Sequence, residues 1–258
     1  MFLERIVAEK RREIEELKNT LSEGSEEPGM KTVSLSAAIR NHRGGPALIA
    51  EVKPASPSKG VIRKQVDPGQ VASAYQRGGA SAVSVLTDRR FFGGEGASLQ
   101  KVKKAVSLPV LRKDFILDPL QVKESRMLGA DAILLIAAVL DRERLLLLSD
   151  AAHSHGMEVL VEIHREDEIE RALACEPDVI GINNRDLVTF RTDLGTTERL
   201  RPLLPDTIPV IGESGVSSPE DVRRMARAGV DGVLVGEYLM RQADPERAVR
   251  TLIGGGAP

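Results

Sequence analysis

The stretch "DPLQVKESRMLGADAI", residues 118–133, decides the fold because it holds a complete helix-to-strand unit. Asp followed by Pro is typical of a helix N-cap with proline at the first helical position. Gly129 then stands where a helix usually stops, and a run of Ala, Ile and Leu follows. The stretch therefore predicts a helix that leads directly into a buried strand.

The same unit recurs at "DPGQVASAYQRGGASAV" (67–83) and "SPEDVRRMARAGVDGV" (218–233). The predicted strands, eight in all, span residues 47–53, 82–88, 109–114, 132–138, 158–163, 178–183, 208–214 and 231–236. Near-continuous apolar strands that alternate with helices indicate a parallel sheet covered by helices. Eight such units in about 250 residues match a (β/α)₈ TIM barrel, which is an α/β fold. A doubly wound open sheet is the alternative, but the even spacing of the units favours closure.

Residues 1–46 predict an N-terminal helical extension, and residues 47–258 predict the barrel itself. The extension holds a charged amphipathic helix at roughly 2–18, a polar break "SEGSEEPG" (22–29) and a short helix near "SLSAAIRN" (34–41). Because this is too little for a second domain, we expect the extension to pack on the barrel as a lid or plug.

The composition excludes several classes of partner. Hydrophobic residues make up 41% of the chain and charged residues 29%, which is typical of a globular protein with a buried core. A net charge of −2 offers no basic patch for nucleic acid, and the longest apolar run, "AILLIAAVL" (132–140), is too short to cross a membrane. A single cysteine, Cys175, excludes an internal disulfide. The single cysteine, together with the lack of a visible targeting segment, predicts a cytoplasmic protein.

Charged and amide side chains stand at the carboxyl ends of several predicted strands, where barrels of this kind build their active sites. These residues are Glu51, Lys53, Lys113, Glu162, Asn183 and Glu213. Glu51 and Lys53, in "AEVKPASPSKG" (50–60), are two apart in a strand and therefore share a face. Exposure to solvent explains any one of these residues, but it does not explain why six of them stand at the same end of the predicted barrel. Opposite charges in a half-buried mouth make general acids and bases, so the set predicts acid–base chemistry on a carbonyl compound without a metal or nucleotide cofactor.

Glycine-containing loops follow the last two predicted strands, at "GESGVSSPED" (212–221) and "VGEYLM" (235–240). Each loop precedes a helix start, where backbone N–H groups bind phosphate, and this is the usual phosphate site of the barrel. Tight turns explain one such glycine but not the paired placement. The pattern predicts a small-molecule phosphorylated substrate.

Histidine and cysteine offer no further catalytic candidates. His153 and His155 are two apart in a predicted helix and face different directions, so they do not form a chelating pair. His164 precedes the helix start "REDEIE", whose acids suit the helix dipole and the solvent. Cys175 is a lone small apolar residue near a helix end, which favours packing over nucleophilic chemistry.

Seven segments between residues 50 and 240 carry a family resemblance. They are "AEVKPASPSKG", "SVLTDRRFFGG", "PVLRKDFILDPLQV", "GADAILLI", "GINNRDL", "GESGVSSPEDV" and "GVLVGEYLM". In this order they resemble the indole-3-glycerol phosphate synthase family of the tryptophan pathway, and "LRKDFI.D..Q" with "GIN.RDL" is more specific than a generic phosphate barrel. The resemblance implies that the substrate is 1-(2-carboxyphenylamino)-1-deoxyribulose 5-phosphate, whose pyrrole ring closes with loss of CO₂ and then of water.

The resemblance also implies a role for each site residue. Lys113 matches the general acid of ring closure and Glu162 the base of dehydration, while Glu51 looks like a carboxylate that assists proton transfer. Lys53 looks like a second cation, which binds substrate or phosphate anions and can share the acid role. The orienting, substrate-binding and phosphate-binding residues implied by the resemblance are Asn183, Glu213, Ser56, Phe92, Phe115, Arg185, Ser214, Gly215, Gly236 and Glu237.

The resemblance implies that Phe92 and Phe115 form an apolar slot for the anthranilate ring, and two departures stand beside it. Glu237 replaces a serine found in many relatives, and its carboxylate would repel phosphate unless it turns outward. Pro54 and Ala55 replace residues that are often basic, which removes cations near the mouth.

Two other functions stay open. A Schiff-base aldolase would use Lys113 or Lys53 as its nucleophile, and a non-catalytic phosphate-binding barrel would bind its ligand without chemistry. Three carboxylates argue against binding alone, which needs cations. We expect a monomer or at most a weak homo-oligomer, and no cofactor.

Overall fold

The computed structural model describes residues 2–21, 31–57, 60–63 and 67–254, so the polar break predicted at 22–29 lies outside the described residues. The described strands are β1 (Ala47–Val52), β2 (Ala55–Ser56), β3 (Gly60–Val61), β4 (Ala82–Leu86), β5 (Val110–Lys113), β6 (Ala132–Ile136), β7 (Glu158–Ile163), β8 (Val179–Asn183), β9 (Val210–Glu213) and β10 (Gly232–Val235). The described α-helices are α1 (Phe2–Thr20), α2 (Leu35–Arg40), α3 (Pro68–Gly78), α4 (Arg89–Phe92), α5 (Gly96–Ala105), α6 (Pro119–Leu128), α7 (Arg142–Ser154), α8 (Ile169–Leu173), α9 (Gly195–Leu200), α10 (Pro219–Arg227), α11 (Glu237–Arg241) and α12 (Pro245–Gly254), and short 3₁₀ turns span Glu166–Glu168 and Arg201–Leu203. Among these helices, none has the length and apolar composition needed to span a membrane.

In the described chain, eight parallel strands close into a barrel in the order β1-β10-β9-β8-β7-β6-β5-β4. Strand β1 pairs with β10 on one side and with β4 on the other, so the sheet closes on itself. The predicted TIM barrel is confirmed, and the open-sheet alternative is excluded. Strands β2 and β3 form a separate antiparallel hairpin after β1.

The helix-to-strand units begin and end at the residues that their sequences predict. Asp118 caps α6 by accepting a hydrogen bond from Leu120 N at 2.9 Å, and Asp67 caps α3 in the same way. Gly79 and Gly129 follow these helices with φ angles of 102° and 92°, a left-handed conformation that glycine adopts without a Cβ clash. Each turn leads the chain back into the next barrel strand.

Helix α2 closes the N-terminal end of the barrel. Leu35 and Ile39 are buried against the inward-facing apolar residues at the strand starts. Glu158, at the start of β7, accepts hydrogen bonds from Ser34 Oγ at 2.5 Å and from Ser36 N at 2.7 Å. These bonds satisfy the first turn of the helix, so the predicted short helix covers the end opposite to the strand carboxyl ends.

Helix α1 lies at the other end of the barrel, where a buried ion cluster holds it. The side chain of Lys10 is 1% exposed, and its Nζ lies 2.9 Å from Asp88 Oδ2 and 2.8 Å from Asp114 Oδ1. Glu13 provides a third contact at 2.8 Å. Burial alone would lower the pKa of Lys10, but the charges of Asp114 and Asp88 outweigh burial and raise the pKa. Because Asp88 and Asp114 follow β4 and β5, the cluster ties α1 to the mouth of the barrel.

Replacing Lys10 with methionine is expected to lower the free energy of unfolding by about 3 kcal/mol, because Asp88 and Asp114 lose a buried partner. Urea denaturation followed by circular dichroism measures this loss. The matched control is Lys18→Met on the same helix, where the side chain is 47% exposed and the expected change is below about 0.5 kcal/mol. Equal unfolding midpoints for the two variants would show that the cluster does not stabilise the fold.

Candidate active site

A cavity of about 670 Å³ opens at the carboxyl ends of the barrel strands, a volume that suits a small organic substrate. The site residues named from the sequence all line it: Glu51, Lys53, Ser56, Phe92, Lys113, Phe115, Glu162, Asn183, Arg185, Glu213, Ser214, Gly215, Gly236 and Glu237. The fold thus brings residues from most of the chain to one cavity.

The ammonium group of Lys113 lies between two carboxylates inside this cavity. Its Nζ is 2.8 Å from Glu162 Oε2 and 3.2 Å from Glu213 Oε2. The Lys113 side chain is 12% exposed, and both carboxylates are 2% exposed. Burial alone would lower the pKa of Lys113, but the nearby carboxylates, above all Glu162, outweigh burial and raise it. Lys113 is therefore an ammonium ion that can donate a proton.

Glu162 and Glu213 have pKa values shifted in opposite directions because one lysine cannot neutralise two buried carboxylates. Burial raises the pKa of both, but at Glu162 the positive charges of Lys113 and His164, together with hydrogen bonds from Lys113 and Asn183, outweigh burial and lower the pKa. At Glu213, burial outweighs the attraction of Lys113, and repulsion from Glu162 raises the pKa further, to about 8. The two carboxylates titrate as a pair, and the shifts favour the ionised form of Glu162 and the protonated form of Glu213 at neutral pH.

Glu51 and Lys53 form the second charge pair of the cavity. Lys53 Nζ lies 2.5 Å from Glu51 Oε2, as an ion pair rather than an aligned hydrogen bond. The contact agrees with the shared face that their spacing predicts. Glu51 is 3% exposed and Lys53 is 19% exposed, so Lys53 is more accessible than Lys113, which is 12% exposed.

Two glycines make room for the buried carboxylates. A Cβ atom on Gly181, in β8, would lie 2.1 Å from Glu213 Oε1. A Cβ atom on Gly236, after β10, would lie 2.2 Å from Glu51 Oε2. Such short contacts do not occur in proteins, so a larger residue at either position would push the carboxylate from its place.

The loop after β9 has left-handed backbone at two consecutive residues. Ser214 has a φ angle of 63° and Gly215 has one of 90°. A residue other than glycine in this conformation costs about 1 kcal/mol or more, and such strain clusters at ligand sites. Because β9 and β10 are neighbours, this loop lies beside the loop that contains Gly236 and Glu237. The two loops bound one side of the cavity.

From the sequence, the Glu237 side chain is expected to turn outward, since its carboxylate would otherwise repel phosphate. In the structure it faces the cavity instead. Its side chain lines the cavity and is 29% exposed. Two arginines offset its charge instead: Glu237 Oε1 lies 3.2 Å from Arg241 Nη2, and Oε2 lies 4.0 Å from Arg185 Nη2. The three side chains together therefore carry a net positive charge.

An apolar wall bounds the cavity near α1. The rings of Phe92 and Phe115 lie side by side, with centroids 6.1 Å apart. Phe2, Leu3 and Ile6 of α1 also line the cavity, although the sequence assigned them no part in the site. The sequence shows that the first helix has an apolar face. It does not show where this helix lies, because the position of α1 depends on the buried ion cluster that holds it.

Comparison with known proteins decides the family. The sequence model of indole-3-glycerol phosphate synthase matches residues 3–252. The chain belongs to the indole-3-glycerol phosphate synthase family. A synthase from Geobacillus thermodenitrificans is 54% identical over 254 residues, which cover 98% of this chain and 97% of that protein. A synthase from Methanopyrus kandleri is 51% identical over 226 residues, which cover 85% of this chain and 88% of that protein. The predicted family is confirmed.

Solved structures agree with the barrel fold. The thiamine phosphate pyrophosphorylase from Pyrococcus furiosus superimposes with a TM-score of 0.61 at 16% identity, covering 86% of this chain and 98% of that one. At this identity the likeness shows the fold alone.

The sequence pattern assigned His164 no part in the synthase site. The structure places it beside Glu162: its side chain is 9% exposed, and its Nε2 lies 3.4 Å from Glu162 Oε1. The helix start after it begins with a 3₁₀ turn that exposes residues 165–167 and leaves His164 enclosed. The missed signal is spacing, because Glu162 and His164 are two apart at a strand end, as Glu51 and Lys53 are.

The other histidines and the cysteine contribute no group to this synthase site. His153 is 38% exposed on α7 and pairs with Asp178 at 2.9 Å. Cys175 is buried, its Sγ donates a hydrogen bond to Ala172 O, and burial raises the pKa of its thiol to about 11, which suits packing rather than nucleophilic chemistry. Among the described residues, no group of three or more His, Cys, Asp or Glu side chains could hold a metal ion.

Proposed function

We propose that Lys113 and Glu162 carry the acid–base steps that convert 1-(2-carboxyphenylamino)-1-deoxyribulose 5-phosphate into indole-3-glycerol phosphate, CO₂ and water. The 2.8 Å contact between the Lys113 ammonium and the Glu162 carboxylate gives the strongest support. A buried lysine that stays protonated beside an ionised glutamate places an acid and a base within reach of one substrate.

Lys113 acts first, in ring closure. The ring carbon that bears the carboxylate attacks the ketone carbon, and the electron pair of the C=O bond takes a proton from Lys113 to form a hydroxyl group. The bond to the carboxylate then breaks, CO₂ leaves, and the electron pair of that bond returns to the ring. Restored aromaticity favours this step.

Glu162 acts in the dehydration that follows. It removes a proton from the methylene carbon next to the ring nitrogen, while the C–O bond breaks and the hydroxyl leaves as water with a proton from a cavity lysine. The lowered pKa of Glu162 beside the raised pKa of Glu213 supports this division of roles. The proton on Glu162 then returns to Lys113 across their contact, and the lysine that protonated the leaving hydroxyl regains its proton from solvent, which is the one proton that loss of CO₂ from a carboxylate consumes overall.

Substrate binding uses the rest of the cavity. Phe92 and Phe115 receive the anthranilate ring, and the accessible Lys53 contacts the substrate anions. Backbone N–H groups of the loops at Gly215 and Gly236 hold the phosphate, and the backbone N–H of Glu237 contributes to the same site. The orienting residues are Glu51, Ser56, Asn183, Arg185, Glu213 and Ser214.

Replacing Gly181 with alanine is expected to lower kcat at least tenfold, because the new Cβ would displace Glu213 and with it the contact to Lys113. Indole fluorescence under saturating substrate measures the loss. The matched control is Gly254→Ala, where an added Cβ meets nothing within 4 Å and kcat should not change. An unchanged kcat for a folded Gly181→Ala variant would show that the position of Glu213 is not critical.

A Schiff-base mechanism at Lys113 has less support. A nucleophilic lysine must be neutral, whereas the carboxylates around Lys113 hold it as an ammonium ion. Borohydride treatment during turnover is therefore expected to leave no substrate attached to the protein. A covalent adduct detected by mass spectrometry would contradict the acid role.

The direct test of the proposed function is the formation of a fluorescent indole. The chain has no Trp and two Tyr, so its own emission under indole excitation is weak. Addition of 1-(2-carboxyphenylamino)-1-deoxyribulose 5-phosphate should produce a steady rise of indole emission. A folded wild-type protein that gives no rise would contradict the proposed function.

We also propose that the unit that acts is one chain, with residues 1–46 as an extension of the barrel of residues 47–258. The apolar lining from α1 and the plug from α2 support this division. A monomer suffices because one chain supplies every group of the site. A cytoplasmic location fits the single buried thiol of Cys175.

A further inference from the structure

We propose that His164 is a positioning residue that makes Glu162, rather than Glu213, the base of the synthase. The proposal rests on the proposed function, because it concerns the same acid–base pair. It answers a question that the geometry raises: Lys113 contacts both carboxylates, at 2.8 and 3.2 Å, and another group must decide which of them stays ionised.

His164 contacts only one of the two carboxylates. Its Nε2 lies 3.4 Å from Glu162 Oε1, whereas Lys113 holds Oε2 of the same carboxylate. Glu162 therefore lies between two nitrogen donors. Asn183 adds a neutral hydrogen bond to Glu162, and Lys113 Nζ lies 3.2 Å from Glu213 Oε2. The two carboxylates thus differ in their surroundings, because His164 lies beside Glu162 and not beside Glu213.

The ring of His164 is enclosed and its nitrogens are not used elsewhere. The side chain is 9% exposed, and neither ring nitrogen makes a hydrogen bond to another described residue. Buried polar atoms without a partner are rare and call for an explanation. A small rotation of the ring would bring Nε2 onto Glu162 Oε1, and contacts of this kind often tighten only when substrate is bound.

Acidic groups approach His164 from three segments of the described chain. Glu162 belongs to β7, and Glu168 Oε2, in the following 3₁₀ turn, lies 3.8 Å from Nδ1. Asp186, in the loop after β8, interacts with the ring through its charge. Arg165 and Arg171 pair with the other oxygen of Glu168, at 3.3 and 3.8 Å. A positive charge on His164 favours the ionised form of Glu162. A neutral Nε2–H would favour the same form by hydrogen bonding.

The consequence is a defined proton position. With His164 present, the proton shared by the carboxylate pair stays on Glu213, and Glu162 is free to accept a proton from the substrate. Without His164, the two carboxylates compete more equally for Lys113, and the proton spends time on Glu162. The base is then blocked in part of the molecules, most of all at low pH.

The pH profile of kcat for His164→Leu tests this inference. The acidic limb is expected to move up by about one pH unit, which lowers kcat about tenfold on that limb, while kcat at high pH and KM stay near the wild-type values. His164→Asn keeps an N–H donor of similar reach and should retain most of the wild-type profile. The control His153→Leu, at an exposed histidine on α7, should leave the profile unchanged.

A second substitution separates this role from a purely structural one. Glu213→Gln removes the competing carboxylate, so it should move the acidic limb of the His164→Leu variant back towards that of the wild type. A loss of kcat that is equal at every pH, or a limb that Glu213→Gln does not restore, would overturn the proposal. An unshifted limb in His164→Leu would overturn it as well. Failure of the proposed function is recognised separately, because wild type would then form no indole, or Glu162→Gln would remain fully active.

Discussion

Replacing Lys113 with methionine is expected to lower kcat about 10³-fold, which lies within the usual contribution of a general acid. Methionine keeps the length of the side chain but cannot protonate the ketone oxygen as the ring closes. KM should change less than about threefold, since in the proposed binding mode the more accessible Lys53 still contacts the substrate anions. Indole fluorescence at saturating substrate measures kcat, and its dependence on substrate concentration gives KM.

Two controls make the Lys113 result specific. Lys104→Met, at an exposed lysine on α5, should behave as the wild type. Circular dichroism checks that Lys113→Met folds, because Glu162 and Glu213 lose their cation and are expected to take up a proton instead. Activity within tenfold of the wild type in a folded variant would move the acid role to Lys53, the other lysine that lines the cavity among the described residues.

The barrel could be predicted because the signals for each of its helices and strands lie within short stretches of sequence. Asp67 and Asp118 start helices, Gly79 and Gly129 stop them, and each unit repeats the pattern. The location of α1 could not be predicted in this way. Lys10 lies in a charged helical stretch whose pattern indicates a solvated surface. Lysine is almost never fully buried unless it is paired. Its partners follow β4 and β5 and come together with it only in the folded chain.

The candidate site divides along the same line. Strand ends and the two-residue spacing of Glu51 and Lys53 predict which side chains meet, and the structure places those residues around one cavity. The same spacing rule applies to Glu162 and His164, yet the acids that follow His164 directed attention to the helix start and left its contact with Glu162 unpredicted. The charge difference between Glu162 and Glu213 could not be predicted from sequence, because it depends on distances within the folded pair.

Glu162→Gln is expected to lower kcat about 10³-fold, whereas Glu213→Gln should lower it less than about tenfold. Glutamine cannot accept the proton that Glu162 takes from the substrate. At position 213 the raised pKa, about 8, favours the protonated carboxyl at neutral pH, and glutamine reproduces the shape of that form, with an N–H donor in place of the O–H. Both variants are measured by indole fluorescence at pH 7, with folding checked by circular dichroism.

The contrast between these two variants carries more information than either loss alone. The two carboxylates are equally buried and contact the same ammonium group, so each variant serves as the matched control for the other. Equal losses would mean that the two carboxylates act as a unit, and that no single one is the base. A larger loss for Glu213→Gln would reverse the assignment and make Glu162 the carboxylate that orients Lys113. The expected order holds only if the shared proton resides on Glu213, and the difference in kcat therefore reports where that proton lies.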